Sequence, residues 1–160
     1  KYLLVSNVDN LGATADATVI GGHILGESLV SFEVACRNAG DKGGAPVWCQ
    51  DKLLIMEGFR FPDSFDITPL PAFNTNTMFM KIELLEQDIP LTWFRVEKTI
   101  HDSKCIQFER LMGEVTSFVK SSYTLIPRQG RAGRFFPVKT PEDMAQQKQA
   151  LIERFQADFE

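Results

Sequence analysis

Five short segments of the 160-residue chain concentrate side chains able to hold phosphates and hydroxyls. The apolar run Tyr2-Leu3-Leu4-Val5 gives way to Asn7-Val8-Asp9-Asn10, a carboxylate among amide side chains, and then to Gly12. In an open α/β sheet, ligands bind just beyond the carboxyl ends of strands. A carboxylate there suits a hard cation carrying substrate phosphates; Asp9 or Asn10 suits the cap of a following helix equally well. Asp41-Lys42-Gly43-Gly44 sets a cation beside two residues that let backbone approach a ligand closely, or forms an exposed turn. Ile55-Met56-Glu57 ends an apolar strand in a carboxylate, which if buried needs a partner such as a sugar hydroxyl, and at the surface needs none. Phe73-Asn74-Thr75-Asn76-Thr77 offers the donors and acceptors that vicinal hydroxyls require, and the same residue types favour loops. Lys139 precedes a well-marked helix start, where lysine and helix N-terminus together form an anion site, or a solvated lysine lies beside an ordinary cap.

The elements that must position these groups follow from pattern. Residues 2–6 read as a strand and residues 14–25 as a helix weakened by Gly21-Gly22. Leu29 to Cys36 alternates as a strand, and Arg37 to Ala45 is a polar, Gly-rich loop. Pro46–Cys49 and Leu53–Phe59 read as a hairpin about Gln50-Asp51-Lys52. Residues 60–72 are an irregular, proline-rich connection, Thr77–Met80 begins a strand or helix, and Ile82–Glu86 is helical. Leu91–Val96 is a strand by its aromatic and β-branched content. Ile106, Phe108, Leu111, Met112, Val115 and Phe118 predict an amphipathic helix over Cys105–Val119. Tyr123–Ile126 and Phe135–Val138 are short strands. Thr140-Pro141-Glu142-Asp143 then opens the last helix, with Asp143 where a capping box normally carries Glu or Gln. Strands alternating with helices indicate an α/β layered sheet.

A composition of 44% hydrophobic and 24% charged residues is that of a soluble globular domain. The net charge of −4 argues against a general nucleic-acid binder, which needs a basic footprint, yet leaves room for a local phosphate site. No apolar run reaches membrane-spanning length. Cys36, Cys49 and Cys105 lack metal-ligand or redox spacing, so buried, reduced thiols and a cytoplasmic location are expected.

The segments also carry a resemblance. Asn7-Val8-Asp9-Asn10-Leu11-Gly12-Ala13-Thr14 resembles the N-x-DNLGAT segment of the UTP–glucose-1-phosphate uridylyltransferases. Further along, Lys42-Gly43-Gly44 is similar to that family's D-x-KGG motif, and Glu33 to the acid of its M/F-E-V strand. Asp51 to Glu57 resembles G-K-L-x-L-x-E, and Phe73 to Asn76 matches FNTN, with Thr77-Met78-Phe79 replacing the usual N-L-W. Gln107-Phe108-Glu109 looks like the QLE of a family helix, and Arg134 to Thr140 like R-F-L-P-V-K-T. Two departures stand out: Gly58-Phe59-Arg60 replaces I-A-Q, and Arg128 to Gly133 is longer than the family's connection. That longer segment is either a mobile basic loop over the phosphates or a flexible insertion.

The resemblance implies a GT-A-like, Rossmann-related α/β fold with a mixed sheet flanked by helices. It also implies a Mg²⁺-dependent nucleotidyltransferase making UDP-glucose and pyrophosphate from UTP and glucose 1-phosphate. Carried over by position, Asp9 holds Mg²⁺ and acts with Lys139 in catalysis, and Lys139 neutralises phosphates. Asn7 contacts the sugar phosphate or nucleotide, and Gly43, Glu57 and Asn76 hold glucose hydroxyls. The family's Gly-rich phosphate loop and activating lysine precede the DNLGAT segment, so residues 1–160 are expected to be the C-terminal half of a catalytic domain, inactive without its N-terminal half. A UDP-N-acetylhexosamine pyrophosphorylase or a catalytically inactive sugar-nucleotide-binding module are the alternatives; oligomeric state stays open.

Overall fold

The computed structural model describes residues 1–41 and 43–156. Its centre is a four-stranded mixed sheet ordered β1-β5-β2-β8, built from β1 (Tyr2–Val5), β2 (Val30–Cys36), β5 (Ala72–Lys81) and β8 (Ser121–Ile126). β5 is antiparallel to both β1 and β2, whereas β2 and β8 run parallel. The chain is therefore a mixed α/β fold, as the alternation of elements predicts. Two hairpins complete it: β3 (Ala45–Cys49) with β4 (Lys52–Met56), and β6 (Phe94–Ile100) with β7 (Ser103–Glu109).

β2 is covered on both faces, as a central strand must be when each face meets another layer. Its even-numbered Val30, Phe32 and Val34 point into the main core with Ile55, Met78, Met80, Leu84 and Val115. Its odd-numbered residues face the other way and are polar where they meet polar partners. Ser31 lies 2.9 Å from His23 Nδ1 on helix α1 (Ala17–Leu25), and Glu33 pairs with Arg134. The Gly21-Gly22 pair lies inside α1 rather than ending it; Asp16 caps the helix through the N–H groups of Thr18 and Val19. That assigns the cap to Asp16 and frees Asp9 and Asn10 from the role.

Helix α2 (Pro141–Phe155) starts where Thr140-Pro141 predicts. The capping box closes completely with Asp in place of Glu: Thr140 Oγ1 accepts from Asp143 N at 3.1 Å, and Asp143 Oδ2 accepts from Thr140 N at 3.0 Å. Ile82–Glu86 is helical, but as a 3-10 turn.

Several expectations fail. Residues 105–119 are not one helix: Cys105–Glu109 falls in β7, and only Met112–Ser117 coils, as a 3-10 turn. The apparent apolar face breaks up in space, because Val115 is core while Ile106 and Phe108 are more than half exposed. Short apolar runs satisfy helix and strand periods alike; here His101 and Asp102, both at positive φ, make a two-residue turn that enforces the hairpin. The QLE-like segment thus lies on a strand. The strand read at 91–96 starts later, at Phe94, and the second strand of the first hairpin ends at Met56. Phe135–Val138 forms no strand but a single bridge, Pro137 to Asn10. Asn74 to Met80 is one strand with its upstream neighbours, not a loop followed by a new element. Cys36 and Cys49 are exposed and Cys105 is half-buried, so burial does not explain these thiols. Among the described residues, no helix is long and apolar enough to cross a membrane.

Candidate functional site

Tertiary contacts bring the carboxyl end of β1 to the start of α2. The segment after β1 runs alongside residues 136–138: Leu11 N donates to Phe136 O at 3.1 Å, and Val138 N to Asp9 O at 2.8 Å. Asn10 rivets the two segments. Its Nδ2 donates to Arg134 O at 3.1 Å and its Oδ1 accepts from Phe136 N at 2.9 Å, with the side chain buried. Gly12 is needed beside it, since a Cβ there would lie 2.6 Å from the backbone carbon of Arg134. As a result Lys139 Nζ stands 3.7 Å from Asp9 Oδ2, the lysine largely exposed and the carboxylate about a quarter so (71% and 26%). A pair this open is a weak structural tie, and both groups are available to a ligand.

Asp9 and Lys139 line a cleft of about 370 Å³ together with Asn7, Asn76, Gly43 and Arg128. A second cleft, of about 450 Å³, lies beyond Asn7 and Asn76, which belong to both. Glu57 lines this second space, roofed by Val96, Glu109 and Arg110 from the β6–β7 hairpin and its exit. Asn7, Asp9, Gly43, Glu57, Asn76 and Lys139, the residues singled out in the sequence, therefore converge on two adjoining clefts. Lys42 lies outside the described residues.

Glu57 sits just past β4, wedged between two glycines. A Cβ on Gly44 would approach its carboxylate atoms to 2.9 Å, and one on Gly113 would come within 3.6 Å of Oε1. Burial pushes its carboxyl above the usual range, against hydrogen bonds from the Gly44 N–H and the Asn74 amide and the charge of Arg60. Asn76 occupies a bulge of β5: the β2 register steps from Thr77 to Asn74 opposite Glu33 and Val34. Its φ of 58° is the left-handed conformation that Asn tolerates better than most residues.

Two features of the site add to what the sequence reading assigned. Arg128 packs its guanidinium 5.0 Å from the Phe73 ring and 5.4 Å from Phe135, and pairs with Asp41 at 2.5 Å. Burial raises the Asp41 carboxyl, but Arg128 and the Asn38 N–H outweigh it and hold the group below its ordinary value. Arg37 donates to Asp41 O at 2.8 Å and Gly43 O at 3.1 Å, so two arginines set the glycine segment against the cleft. The clue was the arginine-rich Arg128–Arg134 segment. That segment is tied down at its ends: Arg134 N donates to Pro127 O, and Arg154 Nε to Gly133 O at 2.9 Å. The second feature is the start of α2, where Asp143 Oδ2 takes the Lys139 N–H at 2.9 Å as well as that of Thr140. The helix end is closed by its own side chains, and the cationic contribution there falls to Lys139.

No cluster of three or more His, Cys, Asp or Glu side chains suited to a metal occurs among the described residues. Asp41 and Asp143 are engaged with Arg128 and with backbone N–H groups, which leaves Asp9 as a single carboxylate facing the cleft. One carboxylate with amide oxygens nearby fits Mg²⁺, which keeps waters and takes its remaining oxygens from substrate phosphates, and does not fit an all-protein cage.

The chain is similar in sequence and in fold to known proteins. The sequence model of the family described as UTP–glucose-1-phosphate uridylyltransferase matches residues 1–158. Relatives of that name include those of Solanum tuberosum, 26% identical over 156 residues, and Encephalitozoon cuniculi, 27% identical. Each match covers 90% of this chain but 32% and 31% of the relative, so the chain spans about a third of their length. Among solved structures, a mutant UDP-glucose pyrophosphorylase of Leishmania major in complex with UDP-glucose superposes with a TM-score of 0.68 at 31% identity, covering 89% of this chain and 36% of that one. A Trypanosoma brucei structure described as UDP-glucose phosphorylase gives 0.69 at 28% identity, covering 89% and 34%. The chain belongs to the UTP–glucose-1-phosphate uridylyltransferase family.

Proposed function

We propose that this chain supplies the sugar-phosphate and metal side of a site that makes UDP-glucose and pyrophosphate from UTP and glucose 1-phosphate. The observation that carries the reading is the division of labour across the wall formed by Asn7 and Asn76. Glu57 lies on one side among groups suited to hydroxyls, and Asp9 with Lys139 on the other among groups suited to phosphates. A hexose 1-phosphate laid across that wall would place its ring by Glu57 and its phosphate by Lys139. A phosphate oxygen then attacks the α-phosphorus of UTP, the bond to the β-phosphate bridging oxygen breaks, and pyrophosphate leaves. The protein's part is alignment and charge neutralisation. Mg²⁺ held by Asp9 would supply further neutralisation of the phosphates. Lys139, long and exposed, can follow the charge as it moves to the leaving group. Match to only a third of the relatives' length, together with the free edge of β1 carrying exposed Tyr2, Leu4 and Val5, supports a catalytic domain completed by further polypeptide packed at that edge.

Pyrophosphate release from UTP tests this, with Mg²⁺ and either glucose 1-phosphate or N-acetylglucosamine 1-phosphate, using this chain and the complete polypeptide that carries it. Turnover in the complete polypeptide with glucose 1-phosphate is expected. There Asp9→Ala should lower kcat by about 100-fold or more with the melting temperature nearly unchanged, and Lys139→Met should cost rate far more than stability. Preference for the N-acetyl sugar would reassign the substrate. Sugar-nucleotide binding without turnover would leave a binding module in place of an enzyme.

A further inference from the structure

Asn74 lines the first cleft next to Asn76, at the wall between the two clefts, is 3% exposed, and its amide orientation follows from chemistry. The backbone N–H of Asn76 donates to Asn74 Oδ1 at 3.1 Å, and a backbone nitrogen can only donate. The other end of the Asn74 amide is therefore its NH₂. One of those hydrogens is directed at Asn76 Oδ1, 2.7 Å away, and the amide lowers the Glu57 carboxyl against the effect of burial. The chain of consequences continues outward. With Asn76 Oδ1 engaged by Asn74, the Asn76 NH₂ is the end left for the cleft. Glu57, supported from below by Asn74 and Gly44, keeps acceptor positions for a ligand. Asn74 is itself anchored, since its N–H donates to Gly44 O at 2.7 Å.

We propose that Asn74 is the positioning residue that sets the hydrogen-bond polarity of the sugar side: a donor at Asn76 beside an acceptor at Glu57. This deepens the uridylyltransferase reading and rests on it. A donor beside an acceptor matches neighbouring ring hydroxyls, one accepting and the next donating. Neither Asn76 nor Glu57 has this orientation fixed by its own position. An Asn76 free to turn would present either end, and a Glu57 without its buried donors would be held less firmly against the ligand. The bulge in β5 provides the geometry, because it brings Asn74 and Asn76, two residues apart, side by side rather than one strand repeat apart.

The test is steady-state kinetics on the complete polypeptide with UTP, Mg²⁺ and glucose 1-phosphate. Asn74→Ala should raise KM for glucose 1-phosphate at least tenfold and leave KM for UTP within twofold. The same substitution is then made in an Asn76→Ala/Glu57→Gln background, with saturating glucose 1-phosphate titrations and thermal melts for each protein. There it should change KM for glucose 1-phosphate less than twofold, because the groups it positions are gone. A merely structural role predicts equal losses in both backgrounds, and that result overturns the proposal. Asn74→Asp offers an independent arm: it keeps shape, cannot donate to Asn76, and should turn the Asn76 NH₂ inward, raising KM for the sugar phosphate at least as much as Ala does. An Asp variant binding sugar phosphate like the parent also overturns it. If the parent protein turns over UTP with glucose 1-phosphate but Asn74→Ala is unaffected, the positioning role fails while the enzyme reading stands. A parent with no affinity for the sugar phosphate removes both.

Discussion

Replacing Arg134 by methionine isolates the buried ion pair that supports the site. The guanidinium reaches Glu33 through three contacts, at 2.6, 3.0 and 3.1 Å, and also donates to Thr14 O at 2.8 Å. Both side chains are almost completely enclosed, at 4% and 1% exposure. Removing one member of such a pair strands the other's charge and typically costs about 3–5 kcal/mol. The stranded glutamate has an escape, which is to take up a proton. At pH 7 that costs about 3.7 kcal/mol for a glutamate of ordinary acidity, and at pH 5 about 1 kcal/mol. The expected loss for Arg134→Met is thus about 3–4 kcal/mol at pH 7, shrinking by roughly 2–3 kcal/mol at pH 5. Against a total of about 5–15 kcal/mol this is a large fraction, and it corresponds to a melting shift of roughly 6–16 °C for a chain this size. Urea unfolding followed by circular dichroism at the two pH values measures it. Glu33→Leu combined with Arg134→Met should recover most of the loss, because no charge is then left inside. A loss below about 1 kcal/mol at pH 7, or an equal loss at both pH values, would refute the reasoning.

Two other perturbations follow from geometry. Gly12→Ala would set a Cβ 2.6 and 2.7 Å from backbone atoms of Arg134 that cannot rotate aside, so a loss toward the upper end of about 1–3 kcal/mol is expected in urea unfolding. Gly21→Ala, in α1 with nothing within 4 Å, should instead stabilise by up to about 1 kcal/mol; the opposite signs are the check. His23 is buried between Tyr2 and Phe79 with Nδ1 on Ser31, and burial, then the charge of Lys81, hold it below the ordinary histidine value. Its neutral form is favoured in the fold, so that contribution is present above the ordinary value of 6.5 and lost as pH falls through the lowered one. Urea midpoints measured from pH 7.5 down to 5.5 should decline, and His23→Gln should flatten the decline; an unchanged slope would remove His23 as its source.

The segments that carry chemistry were legible because each is local in the chain. Asn7 to Asn10, Glu57 at a strand end and Lys139 before Thr140-Pro141 owe their recognisability to neighbours within a few residues. The capping box is the clearest case, since Thr140 and Asp143 satisfy each other across three positions. The helix read over Cys105–Val119 failed for the same reason: spacing alone cannot tell which side of an apolar run will meet a core, and a two-residue turn at His101-Asp102 committed it to a hairpin. Sequence by itself thus determined the mixed α/β class, the family resemblance and the residue types of the site. Only the tertiary structure decided how they meet. Asn10 joins segments 124 and 126 residues apart through bonds to Arg134 and Phe136, and thereby sets Asp9 beside Lys139. The bulge opposite Glu33 turns two asparagines of one strand into a single hydrogen-bonded unit lining the cleft. Those pairings depend on burial and on backbone groups left without other partners, and neither exists until the sheet has formed.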